Sequence, residues 1–324
     1  MEGRMRIRQR LLSVVGIFIA SLCLIWVIQK MDWQSFLLAM ARVELSVIFL
    51  CLFLAMLHGV VLAWKWQWAL RPSEPGVKFW DCFWSLRLGF FFNGILPAKL
   101  GEAIRVWFIH RRVKIPVSTI VGCNIADRFL DFMSMGLIFF IALSNLSIAQ
   151  DWIPFESLVA IPILVLFVFW GIQALPASHD RPRLNLLLQI LKRIRAGFSS
   201  ATDWRVMARV LLIASIGWGI HLVILSVLGE AMSLHLDWAQ WVVMMVGITL
   251  ASALPSAPSN VGTFEFAGVF VLTHFFKLQH EESFVVVLLY HFIQLIPTWI
   301  LGLIGYFIYQ NDLRFELKRL RKAA

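Results

Sequence analysis

Two short stretches place ionisable and hydrogen-bonding residues inside otherwise apolar sequence. The first, FFNGILPAKLGEAIRVWFIHRR (91–112), sets Asn93, Lys99, Glu102 and Arg105 around Pro97 and Gly101. The second, LPSAPSNVGTFEF (254–266), sets Ser259, Asn260 and Glu265 around Pro255, Pro258 and Gly262. Proline lacks an N–H and restricts the residue before it, so each stretch is expected to interrupt a helix. Glycine then lets the backbone turn closely. A helix restarting near Gly101 would aim free N–H groups and a partial positive charge at the break. With Lys99 in the turn and Arg105 one turn on, this is the chemistry of an anion site suited to phosphate. Glu102 and Arg105 are three residues apart and share a helix face. The second stretch offers the neutral groups of Ser256, Ser259, Asn260 and Thr263, and Glu265 as its one charge. Glu265 either pairs with Arg105 or Arg128 or takes up a proton in its apolar setting. A third stretch, NIADRFLDF (124–132), puts Asp127 and Asp131 on one helix face with Arg128 beside them. A metal-binding carboxylate pair is one reading. With no further acidic motif nearby, a structural ionic latch to the first broken segment is preferred.

These groups must be positioned by elements that live in lipid. Of 324 residues, 60% are hydrophobic and 15% charged, against about 45–50% and about 25% in an ordinary soluble domain. Candidate full spans fall at 11–30, 45–66, 117–148, 155–175, 207–230 and 284–309, each long enough to cross about 30 Å of hydrocarbon as a helix. The two broken segments, 79–112 and 240–276, each contain two half-length apolar stretches and fit re-entrant hairpins, the alternative being that each crosses fully to give ten short spans. The expected fold is therefore an all-α polytopic membrane protein, with about six full spans plus two broken re-entrant helical hairpins.

The formal net charge of +10 does not indicate nucleic acid. Its basic residues sit in short flanks between spans, as the positive-inside bias places them. Residues 97–116 carry five basic groups against one acid, and 176–206 carry six against two. Residues 31–44, 149–154 and 231–238 are neutral or acidic in balance. This puts both termini in the cytoplasm, with the first hairpin entering from the cytoplasmic side and the second from outside. The first half, 1–150, then reads span, span, hairpin, span. The second half, 151–324 with its basic tail, repeats the series upside down. Such inverted repeats with interrupted helices mark substrate sites in transporters. One membrane domain, 1–324, is expected, with an uncleaved first helix. Residues 184–198 form either an amphipathic interfacial helix or a basic loop. No CxxC, HExxH or Walker A pattern occurs, so no metal, cofactor or ATP hydrolysis is expected.

Three motifs appear in order: N-x-x-L-P-x-K-x-G-E-x-x-R (93–105), D-R-F-L-D (127–131) and P-x-x-P-x-x-x-G-x-x-E (255–265). Together they resemble the flippase-like membrane domain of the lysylphosphatidylglycerol synthase transmembrane family, over roughly 10–310. Two departures stand out. The family usually has Glu where this chain has Asp127, and often a Gly-Gly pair where it has Ser259-Asn260. The resemblance implies movement of a phospholipid or polyprenyl-linked lipid between leaflets of a bacterial or archaeal cytoplasmic membrane. The short basic tail leads us to expect no lysyl-transfer activity. The expected substrate contacts are Asn93, Lys99, Glu102, Arg105, Arg128, Ser259, Asn260 and Glu265. Pro97, Gly101, Asp127, Asp131, Pro255, Pro258 and Gly262 are expected to be structural. The alternatives are a membrane-embedded transferase on a lipid phosphate, or a scaffold partnering a lipid-synthesis enzyme.

Overall fold

The computed structural model describes residues 2–29, 31–96, 99–146, 203–253 and 256–313. Among these residues the structure is helical, with no strand. In chain order the helices are α1 (Glu2–Ile28), α2 (Trp33–Ala41), α3 (Leu45–Leu70), α4 (Phe79–Ile95), α5 (Gly101–Val113), α6 (Val117–Leu143), α7 (Trp204–Ala231), α8 (Trp238–Ala253), α9 (Thr263–His274) and α10 (His280–Ile308). A 3-10 turn, Pro258–Asn260, precedes α9. The expected span 155–175, the basic segment 184–198, and Pro97 and Pro255 lie outside the described residues.

Among the described residues three helices, α3, α7 and α10, are long and apolar enough to cross a membrane, or four spans if the bent pair of residues 15–28 and α2 counts as one. Their outward residues are those that lipid favours: Phe49 and Phe53 on α3, and Leu303 and Phe307 on α10, are exposed. Residues 31–44, which lie between the first two expected spans, hold α2. Asp32 starts it by accepting from the backbone N–H groups of Gln34 and Ser35, the usual way an aspartate satisfies the first free amides of a helix. The axis turns by 88° between residues 15–28 and α2.

The chain divides into two compact units. The first comprises 1–58, 84–105 and 220–324. In it α9 packs against α1, α8 and α10, and α2 packs against α10. Trp26 meets Phe266 edge-on at 5.0 Å, and Arg42 pairs with Glu282 at 2.8 Å. Both interrupted segments fold back on themselves as antiparallel helix pairs. In α4/α5, a side chain on Gly101 would overlap Gly89 and Asn93, and Ser85 Oγ donates to the Arg105 carbonyl at 3.1 Å. In α8/α9, Gly247 faces Val271 and Ile248 faces Gly268. Small residues permit these approaches, since helices in lipid associate by close packing. α4 lies against α10 in the same way, with Gly302 over Phe91 and Gly305 over Trp84.

The second unit comprises 59–83 and 106–219. Its described core joins Ala126 and Leu130 of α6 to Val210 of α7, with Trp68 of α3 alongside. Ser134 and Ser215 share a hydrogen bond at 2.9 Å. The guanidinium groups of Arg71 and Arg209 lie 4.2 and 4.6 Å from the Trp68 ring centre, within cation–π range. Lys65, a lone cation in the apolar run of α3, reaches Asp127 at 3.1 Å and Asp131 at 2.5 Å. The expected latch between the two aspartates and the first broken segment is therefore corrected. An ammonium on α3 holds both carboxylates, because α3 presents Lys65 at the level where α6 presents its i, i+4 pair.

Candidate functional site

The breaks in α4/α5 and α8/α9 meet inside the first unit. At the first tip Lys99 takes a left-handed conformation, φ +54°, which a lysine rarely adopts. From there its ammonium donates to the Ser252 carbonyl at 2.9 Å. Ser252 lies in the last turn of α8, where carbonyls lack helical partners and a cation is favoured. Alongside, a Cβ built on Gly94 would stand 2.9 Å from Ser259 Oγ and 3.2 Å from Trp299 Nε1. Glycine at 94 is what lets the 3-10 turn sit on α4. The Ser259 Oγ and Asn93 Oδ1 atoms are buried with no hydrogen-bond partner among the described residues.

The second tip is held open by its own bonds. Ser259, Asn260 and Gly262 have φ of +58°, +59° and +89°. Ser259 and Asn260 are thus consecutive non-glycine residues in the left-handed region. Ser256 Oγ donates to Asn260 Oδ1 at 2.7 Å, and Thr263 Oγ1 to the Asn260 carbonyl at 3.1 Å. Asn260, expected as a substrate contact, takes part in the turn's own bonding. Gly262 meets the Ala20 carbonyl so closely that any side chain would collide.

Glu265 turns to neither arginine. Its Oε2 accepts from the Gly262 N–H at 2.7 Å, capping α9, and its Oε1 meets His291 Nδ1 at 2.5 Å. The other ring nitrogen of His291, Nε2, lies 3.0 Å from the Ser259 carbonyl. Phe264 stacks on the imidazole, with ring centres 4.0 Å apart. Glu265 and His291 are both buried. On the first hairpin Glu102 and Arg105 approach to 3.7 Å. Arg105 is 2% exposed while the Glu102 side chain remains 32% exposed. Arg128 of the second unit lies on an exposed position of α6 beside the Lys65 cluster.

Sequence reasoning missed Lys65 and His291. Each carried a signal. Lys65 is the one charged residue in the 26-residue α3, and a charge at that depth requires a partner. His291 sits in the middle of α10 and shows no metal-ligand spacing. Its partner on another helix could not be read from spacing at all.

The arrangement places the Lys99 ammonium on the end of α8 and holds a buried acid–imidazole pair at the neighbouring tip. A curated UPF0104 membrane protein of Methanocaldococcus jannaschii is 25% identical over 234 residues, which covers 70% of this chain and 98% of that protein. The family model for the lysylphosphatidylglycerol synthase TM region matches residues 13–302, a stretch that contains both hairpins, the Lys65 cluster and the Glu265–His291 pair. The chain is therefore a membrane protein of the lysylphosphatidylglycerol synthase TM region family.

Proposed function

We propose that this protein is a lipid translocase of the flippase type, moving a phospholipid or polyprenyl-linked lipid between leaflets without covalent change. The observation that carries the reading is the meeting of the two interrupted segments, through Lys99 on Ser252 and Ser259 on Gly94. Interrupted helices that meet across a repeat interface are where transporters hold their substrates. Lys99 stands at the exposed tip, with Arg105 buried one turn into α5. Together with the amides that open α5 they suit a lipid phosphate. Glu102 beside Arg105, and Asn93 behind the turn, orient the headgroup, while acyl chains stay in the bilayer. In this reading the chain has about six full spans, the hairpins are re-entrant from opposite faces, and the halves 1–150 and 151–324 form an inverted repeat. Both termini lie in the cytoplasm, and the membrane is the cytoplasmic one of a bacterium or archaeon.

The test is a leaflet-resolved assay in proteoliposomes with fluorescent phosphatidylglycerol, alongside binding of anionic lipid to the purified chain. Lys99→Ala and Arg105→Ala are expected to weaken binding far more than Lys192→Ala, whose charge belongs to the basic connecting segment. Equal losses for all three would refute a specific site. Chemical conversion of the lipid would point to a transferase. Neither movement nor conversion would point to a scaffold.

A further inference from the structure

We propose that Glu265 and His291 form a proton-binding site that couples proton occupancy to the contact between the two hairpin tips. This deepens the translocase reading and rests on it for the transport consequence, though not for the proton itself. The argument starts from hydrogen-bond bookkeeping. His291 Nδ1 faces a carboxylate oxygen and Nε2 faces a carbonyl oxygen. A neutral imidazole has one N–H and one lone pair. It can therefore satisfy only one of two oxygen acceptors. Both contacts are hydrogen bonds when the pair carries one additional proton, either as imidazolium beside carboxylate or as neutral imidazole beside carboxylic acid. In both forms Nε2–H donates to Ser259, one proton lies between Nδ1 and Oε1, and the pair is neutral overall. A flipped ring would set carbon atoms against both oxygens and lose both contacts. The remaining carboxylate oxygen is occupied by the Gly262 N–H.

Release of that proton leaves an ionised Glu265 and an imidazole with one N–H. That N–H can serve Glu265 or Ser259, and the other nitrogen then turns its lone pair toward an oxygen. The cost falls on the 3-10 turn. Ser259 sits at φ +58°, a conformation unfavourable for a residue with a Cβ, and its hydroxyl packs on Gly94 of the first hairpin. Losing the His291 bond loosens the residue that joins the two tips.

The surroundings isolate the pair electrically. α8 carries no charged side chain, and the described stretch of α1 from Val15 to Ile28 brings Cys23 and none that is charged. On α10 the neighbouring Tyr290 bonds to His221 Nδ1 of α7 at 2.9 Å, and His58 of α3 stacks edge-on with His221 at 4.2 Å. Lys99, from the first hairpin, is engaged at Ser252. Phe264 covers one face of the imidazole.

The experiment has two arms, both on the full chain in lipid. In the first, nitrogen-15 histidine NMR with His291→Gln subtraction, and the infrared carboxylic-acid band with Glu265→Gln subtraction, are recorded at about pH 7, near the ordinary histidine range. An imidazolium signal or a carboxylic-acid band is expected. A neutral imidazole beside an ionised carboxylate would overturn the proposal. Glu265→Gln keeps the fold in reach, since its amide oxygen still accepts from Gly262 and its NH₂ can donate to Nδ1. Circular dichroism checks this, and His291→Gln is the second variant. In the second arm, movement of fluorescent phosphatidylglycerol is followed with and without an imposed pH gradient. One pH unit corresponds to up to about a tenfold bias per proton. The wild type should respond and Glu265→Gln should not. Wild-type movement indifferent to the gradient would overturn the coupling and leave the translocase reading standing. A positive first arm with no lipid movement would support the proton site and sink the translocase reading instead.

Discussion

Replacing Lys65 by methionine removes the ammonium group that Asp127 and Asp131 share. At an effective dielectric of about 20, two unit charges about 4 Å apart attract by about 4 kcal/mol. Lys65 serves two carboxylates, at 3.1 and 2.5 Å, and the desolvation of all three groups offsets much of that attraction. Removing one member of such a buried set leaves the others charged and uncompensated, at about 3–5 kcal/mol. The two aspartate side chains are only 4% and 20% exposed, and Arg128 beside Asp131 offsets part of the charge left behind, so the loss falls inside that range. That is about two to four orders of magnitude in the unfolding equilibrium. Unfolding by SDS in mixed micelles, followed by circular dichroism, reads the shift. The triple variant Lys65→Met/Asp127→Asn/Asp131→Asn should recover more than half of the loss, since all three charges of the set are then gone. A useful control is Arg42→Ala, which breaks a pair whose arginine is 51% exposed and should cost no more than about 1 kcal/mol. If Lys65→Met behaves like Arg42→Ala, or the triple variant is no more stable than the single one, the reasoning from burial is wrong.

Two glycine changes test the packing of the tips. Gly94→Val must displace Ser259 Oγ or Trp299 Nε1 and is expected to destabilise by about 1–3 kcal/mol. Gly136→Ala meets nothing within 4 Å in mid-helix and should stabilise by roughly 0.5–1 kcal/mol. The same micelle titration ranks the pair, and equal effects would contradict the tip contact. Gly262→Ala should fail more severely than Gly94→Ala, because its φ of +89° and the Ala20 carbonyl leave no room for a Cβ. Thermal stability and expression level of the two variants measure the difference.

The interruption of both hairpins was legible because its causes are local. Proline and glycine act on their own backbone, and the apolar run lengths around them are counted directly. α4 and α5 end and begin close to where Pro97 and Gly101 predict, and α8 and α9 flank the expected turn. α2 was not legible in the same way. Its Asp32 cap and Ser35 were present, but nine residues are too few to announce a helix against a turn-like, acidic setting.

Chain chemistry by itself thus determined a helical membrane protein with two proline-marked breaks, and the residues that would stand at them. Only tertiary structure decided which charges meet. Glu265 finds His291 rather than an arginine, and Asp127 and Asp131 find Lys65, because partner choice depends on how each helix is rotated and at what depth its neighbour lies. Helical period says which residues share a face. It does not say what that face is turned toward, and in a lipid-immersed fold that second quantity governs where every buried charge is neutralised.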